Sequence, residues 1–198
     1  MILYGSFTSP YVRRIRFLLK EMGQTFTQID TMTEEGQKEL RSKNPIWKVP
    51  YFEDGPIKIW DSHSITDYLL DRYSIQGFRT LKKNEAIFES NLIHAIDACL
   101  DSGINLFYLT KEGVEMEKTP YLKKQNERIA SIIRYVTSEL KGSSFYEDQS
   151  FGRSELALYT CLDWLRYRSV YPVLNDSQLS SFLQTWGAKE NLKETSPP

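Results

Sequence analysis

The hydrophobic period changes partway along the chain, and that change limits what it can fold into. Residues 1–75 alternate short β-like runs with helical ones. Ile2-Leu3-Tyr4 is a short apolar strand, and Gly5-Ser6-Phe7-Thr8-Ser9 is a loop. Pro10 fits the first turn of a helix, where its missing N–H costs nothing. Val12, Ile15, Leu19 and Met22 recur at helical spacing with Leu18 beside them, and Gly23 ends the helix. Arg13, Arg14, Arg16 and Lys20 take the other faces. Residues 26–30 read as a second strand, and residues 33–40 as a short helix or irregular turn. Val49-Pro50-Tyr51-Phe52 and Ile57-Lys58-Ile59-Trp60 flank a turn and read as a hairpin. Ser62 then caps a helix carrying Ile65, Tyr68, Leu69 and Tyr73. The order βαβαββα implies a mixed sheet covered by helices.

After residue 78 no run reads as a strand. Ile93, Ile96, Leu100 and Phe107 mark a helix over 82–110, and Ile129, Ile132, Ile133, Val136 and Leu140 another over 119–141. Residues 156–167 and 179–186 give two more. The second part is therefore an all-α bundle. The expected domains are 1–77 and 83–198, joined near Gln76-Gly77-Phe78-Arg79-Thr80. The polar end, Lys193 to Pro198, is expected to be mobile.

With 198 residues, 40% of them hydrophobic, the chain suits one or two domains with a real core. A net charge of −1 argues against an electrostatic nucleic-acid binder. No run of 18 apolar residues implies a membrane span, and the first residues lack a secretory pattern, so a cytoplasmic protein is expected. Cys99 and Cys161 follow no metal-ligand spacing and fall in apolar helical patterns, which points to core positions rather than a metal site.

Three segments carry chemistry, each with a plainer alternative. Ser6-Phe7-Thr8-Ser9-Pro10-Tyr11 opens the first helix, where free N–H groups and a partial positive charge gather. A hydroxyl there can donate to an anion. A bound thiolate would be favoured by such a bond, and taking a thiol about two pH units below its usual 8.5 requires about 2.7 kcal/mol. The alternative is a helix cap from Thr8 or Ser9. In Asn44-Pro45-Ile46-Trp47-Lys48-Val49-Pro50-Tyr51, a cis Val49-Pro50 bond would leave the Val49 backbone open to an extended peptide. The alternative is a trans proline opening an edge strand. In Trp60-Asp61-Ser62-His63, the Ser62 N–H suits a carboxylate and the Asp61 carboxylate an ammonium, a pair matching an amino-acid end group. The alternative is again a cap.

Taken together, these residues resemble the glutathione S-transferase family over nearly the whole chain. The pattern Gly5 to Arg13 and the Pro197-Pro198 end are similar to a bacterial subgroup of it. The resemblance implies an N-terminal thioredoxin-like domain, a helical domain, no metal, a homodimer, and glutathione as co-substrate for attack on a small electrophile. It assigns the sulfur contact to Ser9, with Thr8 as the fallback. Val49 would pair with the cysteinyl backbone beside a cis Pro50, and Asp61 and Ser62 would hold the γ-glutamyl amine and carboxylate. Lys38 would take the glycyl carboxylate, with Lys48 or Arg41 as substitutes. Tyr11 and Tyr108 would line the electrophile site.

Ser9 in place of a cysteine disfavours chemistry through an enzyme thiol. Gly152-Arg153-Ser154-Glu155 departs from the family's Ser/Thr-x-x-Asp helix start but keeps a Glu at N3, with Phe151 and Leu156 placed as a hydrophobic staple. The expected function is a glutathione transferase. The alternatives are a non-catalytic regulatory or protein-interaction member of the same fold, or a glutathione-dependent peroxidase.

Overall fold

The computed structural model describes residues 1–79, 81 and 83–198, with nothing drawn from the side chains of residues 83 and 84. Thr80 and Lys82, at the expected junction and helix start, lie outside the described residues. In chain order the elements are β1 (Ile2–Tyr4), α1 (Pro10–Glu21), β2 (Thr27–Ile29), α2 (Glu34–Lys43), β3 (Tyr51–Asp54), β4 (Ile57–Trp60), α3 (Ser62–Arg72), α4 (Lys83–Lys111), α5 (Pro120–Glu139), α6 (Arg153–Tyr167), α7 (Ser177–Gly187) and α8 (Glu190–Glu194). They divide into two units, Met1–Gln76 with Gly187–Pro198, and Gly77–Trp186.

The first unit holds one four-stranded sheet in the order β2-β1-β3-β4. β1 runs parallel to β2 and antiparallel to β3, and β3–β4 is a hairpin. Gly55, at φ 57°, supplies the left-handed residue that its two-residue turn needs. Alternation then sorts the side chains. Leu3 and Phe52 face each other across the β1–β3 ladder and are fully buried, as are Val12, Ile15 and Leu19 of α1 and Ile65 and Leu69 of α3. Phe52 meets Tyr68 of α3 at 6.2 Å between ring centres. The adjacent pair, Tyr4 and Tyr51, points to the opposite face and packs with Leu40 of α2.

α2 has little apolar surface, and polar bonds hold it to the sheet. Tyr4 donates to Glu39 at 2.7 Å, Lys43 donates to the Tyr4 hydroxyl at 2.6 Å and to Glu53 at 3.1 Å, and Tyr51 donates to Glu53 at 2.9 Å. Burial, reinforced by the neighbouring carboxylates, pushes both phenols up to about 12. Burial opposes ionisation of Glu53, but its bonds from Lys43 and Tyr51 prevail and lower its pKa.

The end of the chain differs from the sequence reading. Residues 187–198 pack with the first unit rather than extending the bundle. Leu192 and Thr195 are fully buried. Arg13 donates to the Leu192 carbonyl at 2.9 Å and to Ser196 at 3.2 Å, and Arg16 donates to the Thr195 carbonyl at 3.1 Å. Arg13, Arg14 and Arg16, read as taking the other faces of α1, are all buried. The carbonyls at the end of α8 lack helical partners, and cationic donors satisfy them well.

In the second unit α6 is the central helix, with residues 154–165 all buried. Gly103 of α4 permits its approach, since a Cβ there would come within 2.7 Å of Leu165. Glu155 accepts from the Gly152 N–H at 2.9 Å, so the altered capping box forms. Arg79 joins this helix start through Glu155 at 2.7 Å and Glu89 at 2.6 Å, both buried carboxylates. Cys99 and Cys161 are buried thiols not joined in a disulfide, as their apolar settings implied. The bundle holds no strand among the described residues, only an isolated bridge between Phe78 and Phe151.

Candidate functional site

Strand register brings the three sequence motifs together. Tyr4 pairs with Tyr51, and Tyr51 pairs with Trp60, so these residues form one row across the sheet. The loop 5–9 leaves from Tyr4, Val49-Pro50 enters at Tyr51, and Asp61-Ser62 follows Trp60. Segments separated by 40 and 12 residues thus meet at one sheet end. Ile29 continues the row on β2, so the chain toward α2 leaves from the same end. Ligands of open α/β sheets bind there, beyond the carboxyl ends of the parallel strands.

Gly5 sets the approach of α1 to this end. A Cβ on it would lie 2.2 Å from a methyl of Val12, a fully buried residue of α1. Ser9 is the N-cap, and its Oγ accepts from the Val12 N–H at 3.3 Å. The plainer reading is therefore correct as far as it goes. It does not exclude the other, because a hydroxyl that accepts one bond still has its proton to donate. The first turn of α1 carries no acidic residue to repel an anion. Thr8 is half-buried, with its Oγ1 3.4 Å from the Ser6 hydroxyl.

The Val49-Pro50 peptide is cis, Pro50 is buried, and Val49 packs against the Tyr4–Leu40–Tyr51 cluster. Asn44 holds the loop before it, a role the sequence reading did not assign. Fully buried, it donates to the Lys48 carbonyl at 2.8 Å and accepts from the Ile46 N–H at 3.1 Å. The Asn-Pro pair was the available signal, since Asn readily closes such turns on its own backbone. Trp47 has φ 53° and is 60% exposed, with the Arg41 guanidinium 5.0 Å from its ring centre.

Asp61 caps α3, its Oδ1 accepting from the N–H of His63 at 2.8 Å and of Ser64 at 3.4 Å. Its φ of 77° is strained for a residue with a side chain, at a cost of about 1–3 kcal/mol. Such outliers cluster at binding sites. The cap bonds serve positions 63 and 64, so the N–H of buried Ser62 remains one of the helix's orphan donors. Lys38 and Lys48 are exposed, on α2 and in the loop before Val49. Tyr11 is half-buried near the start of α1, with the Arg14 guanidinium 5.0 Å from its ring centre. Tyr108 lies on α4 in the second unit, half exposed, and packs on Phe107 at 5.1 Å. Among the described residues, no group of three His, Cys, Asp or Glu could hold a metal ion, and no helix is long and apolar enough to cross a membrane.

Residues 3–77 match the family described as "Glutathione S-transferase, N-terminal domain". The chain is 24% identical over 210 aligned positions to the "Uncharacterized GST-like protein YibF" of Escherichia coli K12, covering all of this chain and 99% of that one. It is 33% identical over 84 residues to a glutathione S-transferase of Hyoscyamus muticus, a stretch spanning 41% of this chain and 40% of that relative. Among solved structures, a glutathione S-transferase of Methylobacillus flagellatus with glutathione bound superimposes with a TM-score of 0.87 at 19% identity, covering 100% and 99% of the two chains. That likeness establishes the fold, a thioredoxin-like domain followed by a helical one. The likeness to glutathione S-transferases is thus carried by the family match over residues 3–77 and by the fold over the whole chain.

Proposed function

We propose that the chain is a glutathione transferase whose first unit binds the tripeptide as co-substrate and holds its sulfur as a thiolate. The observation that carries this reading is the Tyr4–Tyr51–Trp60 row, which gathers a hydroxyl at a helix start, an open backbone beside a cis proline and a capped carboxylate. Those are complements of a thiol, a peptide and an amino-acid end group. The glutathione in the Methylobacillus flagellatus structure supports the same ligand.

In this reading Asp61 accepts from the γ-glutamyl ammonium, and the Ser62 N–H donates to the neighbouring carboxylate. Val49 pairs with the cysteinyl backbone at the entry to β3, and Lys38 attracts the glycyl carboxylate. The thiol gives its proton to solvent. The Ser9 hydroxyl, held by the Val12 N–H, donates to the resulting anion, which the α1 N-terminus also favours. A sulfur lone pair then attacks an electrophilic carbon of a small molecule, forming a C–S bond as the leaving group or π electrons depart. Positioning and electrostatic stabilisation of the nucleophile are the catalytic contributions. Tyr11 and Tyr108 are the rim residues to test for the electrophile. The same reading has a cytoplasmic homodimer of the Ser-Pro-Tyr subgroup.

Calorimetric titration with glutathione tests it, alongside ultraviolet detection of the thiolate. Binding in the micromolar to millimolar range, about −8 to −4 kcal/mol, is expected. Asp61→Ala should weaken it and Ser9→Ala should remove the thiolate signal at neutral pH. Binding without that signal in the unaltered protein would make the chain a glutathione-binding protein without transferase chemistry. No binding would overturn the reading.

A further inference from the structure

A cavity of about 430 Å³ lies entirely within the helical unit, at the ends of α4 and α6. Its size falls in the range of small-molecule sites. Neither Tyr11 nor Tyr108, the residues expected at an electrophile site, is among those that line it. The walls are apolar where Leu106, Phe107, Met116 and Val170 contribute, and cationic where Lys111 and Arg168 do. No Asp or Glu is among the lining residues.

Arg168 is the unusual member. Its guanidinium carbon rests 4.7 Å from the ring centres of both Phe107 and Tyr167, and its Nε is buried with no hydrogen-bond partner. By contrast Arg79, the buried guanidinium of this unit, is matched by Glu89 and Glu155, and the exposed Arg166 by Asp163. Among the described residues no carboxylate pairs with Arg168 or Lys111. The next residue, Ser169, has φ 55°, in the left-handed region that glycine usually fills at a helix end. A buried donor left without an acceptor, as the Arg168 Nε is, is unfavourable, and a planar guanidinium suits a carboxylate through two parallel bonds.

We propose that this cavity binds a small carboxylate with an apolar body, its carboxylate bridging Arg168 and Lys111 and its body lying against Phe107, Met116 and Val170. None of the lining residues belongs to the proposed glutathione site, and the proposal does not depend on that reading.

The test uses 2-naphthoate and its uncharged counterpart 2-naphthamide, each titrated into the full chain with and without saturating glutathione. Naphthoate should bind at least tenfold more tightly than the amide, about 1.4 kcal/mol, and glutathione should not displace it. Arg168→Leu should abolish that preference. Thr110→Trp, at an exposed lining position, should block both compounds. Thermal melting checks that each variant is folded, and Lys111→Ala, at an exposed position, replaces Arg168→Leu if the latter does not fold. Equal binding of acid and amide, an unchanged preference in the variants, displacement by glutathione, or no binding of naphthoate would each overturn the proposal. Loss of glutathione binding alone would leave it standing and refute the transferase reading instead.

Discussion

Substituting Ser9 separates its two roles. As a cap it is worth about 1 kcal/mol, toward the lower end here because the Val12 N–H bond is long at 3.3 Å. As a donor to a thiolate it is worth about 1.5–3 kcal/mol, which lowers the thiol pKa by about 1–2. Ser9→Ala removes both. The melting temperature should fall by about 2–4 °C, and the thiol of bound glutathione should ionise about 1–2 pH units higher. Ser9→Asp restores the cap but offers no proton and puts a negative charge toward the sulfur. It should melt at or above the unaltered protein, yet titrate the thiol higher than Ser9→Ala does. The assay is thiolate absorbance against pH under saturating glutathione, with a melt of each variant in parallel. If both variants bind glutathione and titrate its thiol as the unaltered protein does, Ser9 is a cap and nothing more.

Asp61→Asn keeps a capping side chain and tolerates positive φ, so it should stay folded while calorimetry shows glutathione binding weakened by about ten- to a hundredfold through loss of a charged hydrogen bond. Unchanged affinity would remove the carboxylate from the ammonium contact. Tyr4 and Tyr51 have pKa values raised to about 12, so their contribution to stability is full below about 10 and declines as pH rises from there toward 12. Glu53 has a lowered value, so its contribution is present above the usual carboxylate range and is lost as pH falls through its depressed folded value. Denaturant melts across pH should show both limbs, and Glu53→Gln should flatten the acid one. Leu192→Ala should destabilise by about 2–4 kcal/mol in the same assay, because the side chain is fully buried. A mobile chain end would give no change.

The element order was legible because apolar spacing alone separates β1, α1, β3, β4 and α3 from the long helices α4, α5 and α6. The Gly152–Glu155 capping box was readable for the same reason, as a local pattern with a local cause. What escaped depended on partners distant in sequence. α8 offers one buried apolar residue, Leu192, in five positions, too few to show a period. Its dock on α1 uses arginines that look like a solvent-facing surface until carbonyls about 180 residues away reach them. α2 was poorly patterned because Tyr4, Lys43 and Glu53 hold it by polar bonds where periodicity looks for apolar ones. The site residues Ser9, Val49 and Asp61 could be named from local chemistry. Their meeting in one row is a property of strand register, which no single segment encodes.

A crystal structure of the chain grown with glutathione tests that row most directly. The tripeptide should run antiparallel to the backbone at Val49, with its sulfur within hydrogen-bonding distance of the Ser9 Oγ and its γ-glutamyl amine on Asp61. An empty sheet end at saturating glutathione, or a tripeptide whose sulfur faces away from Ser9, would contradict the account.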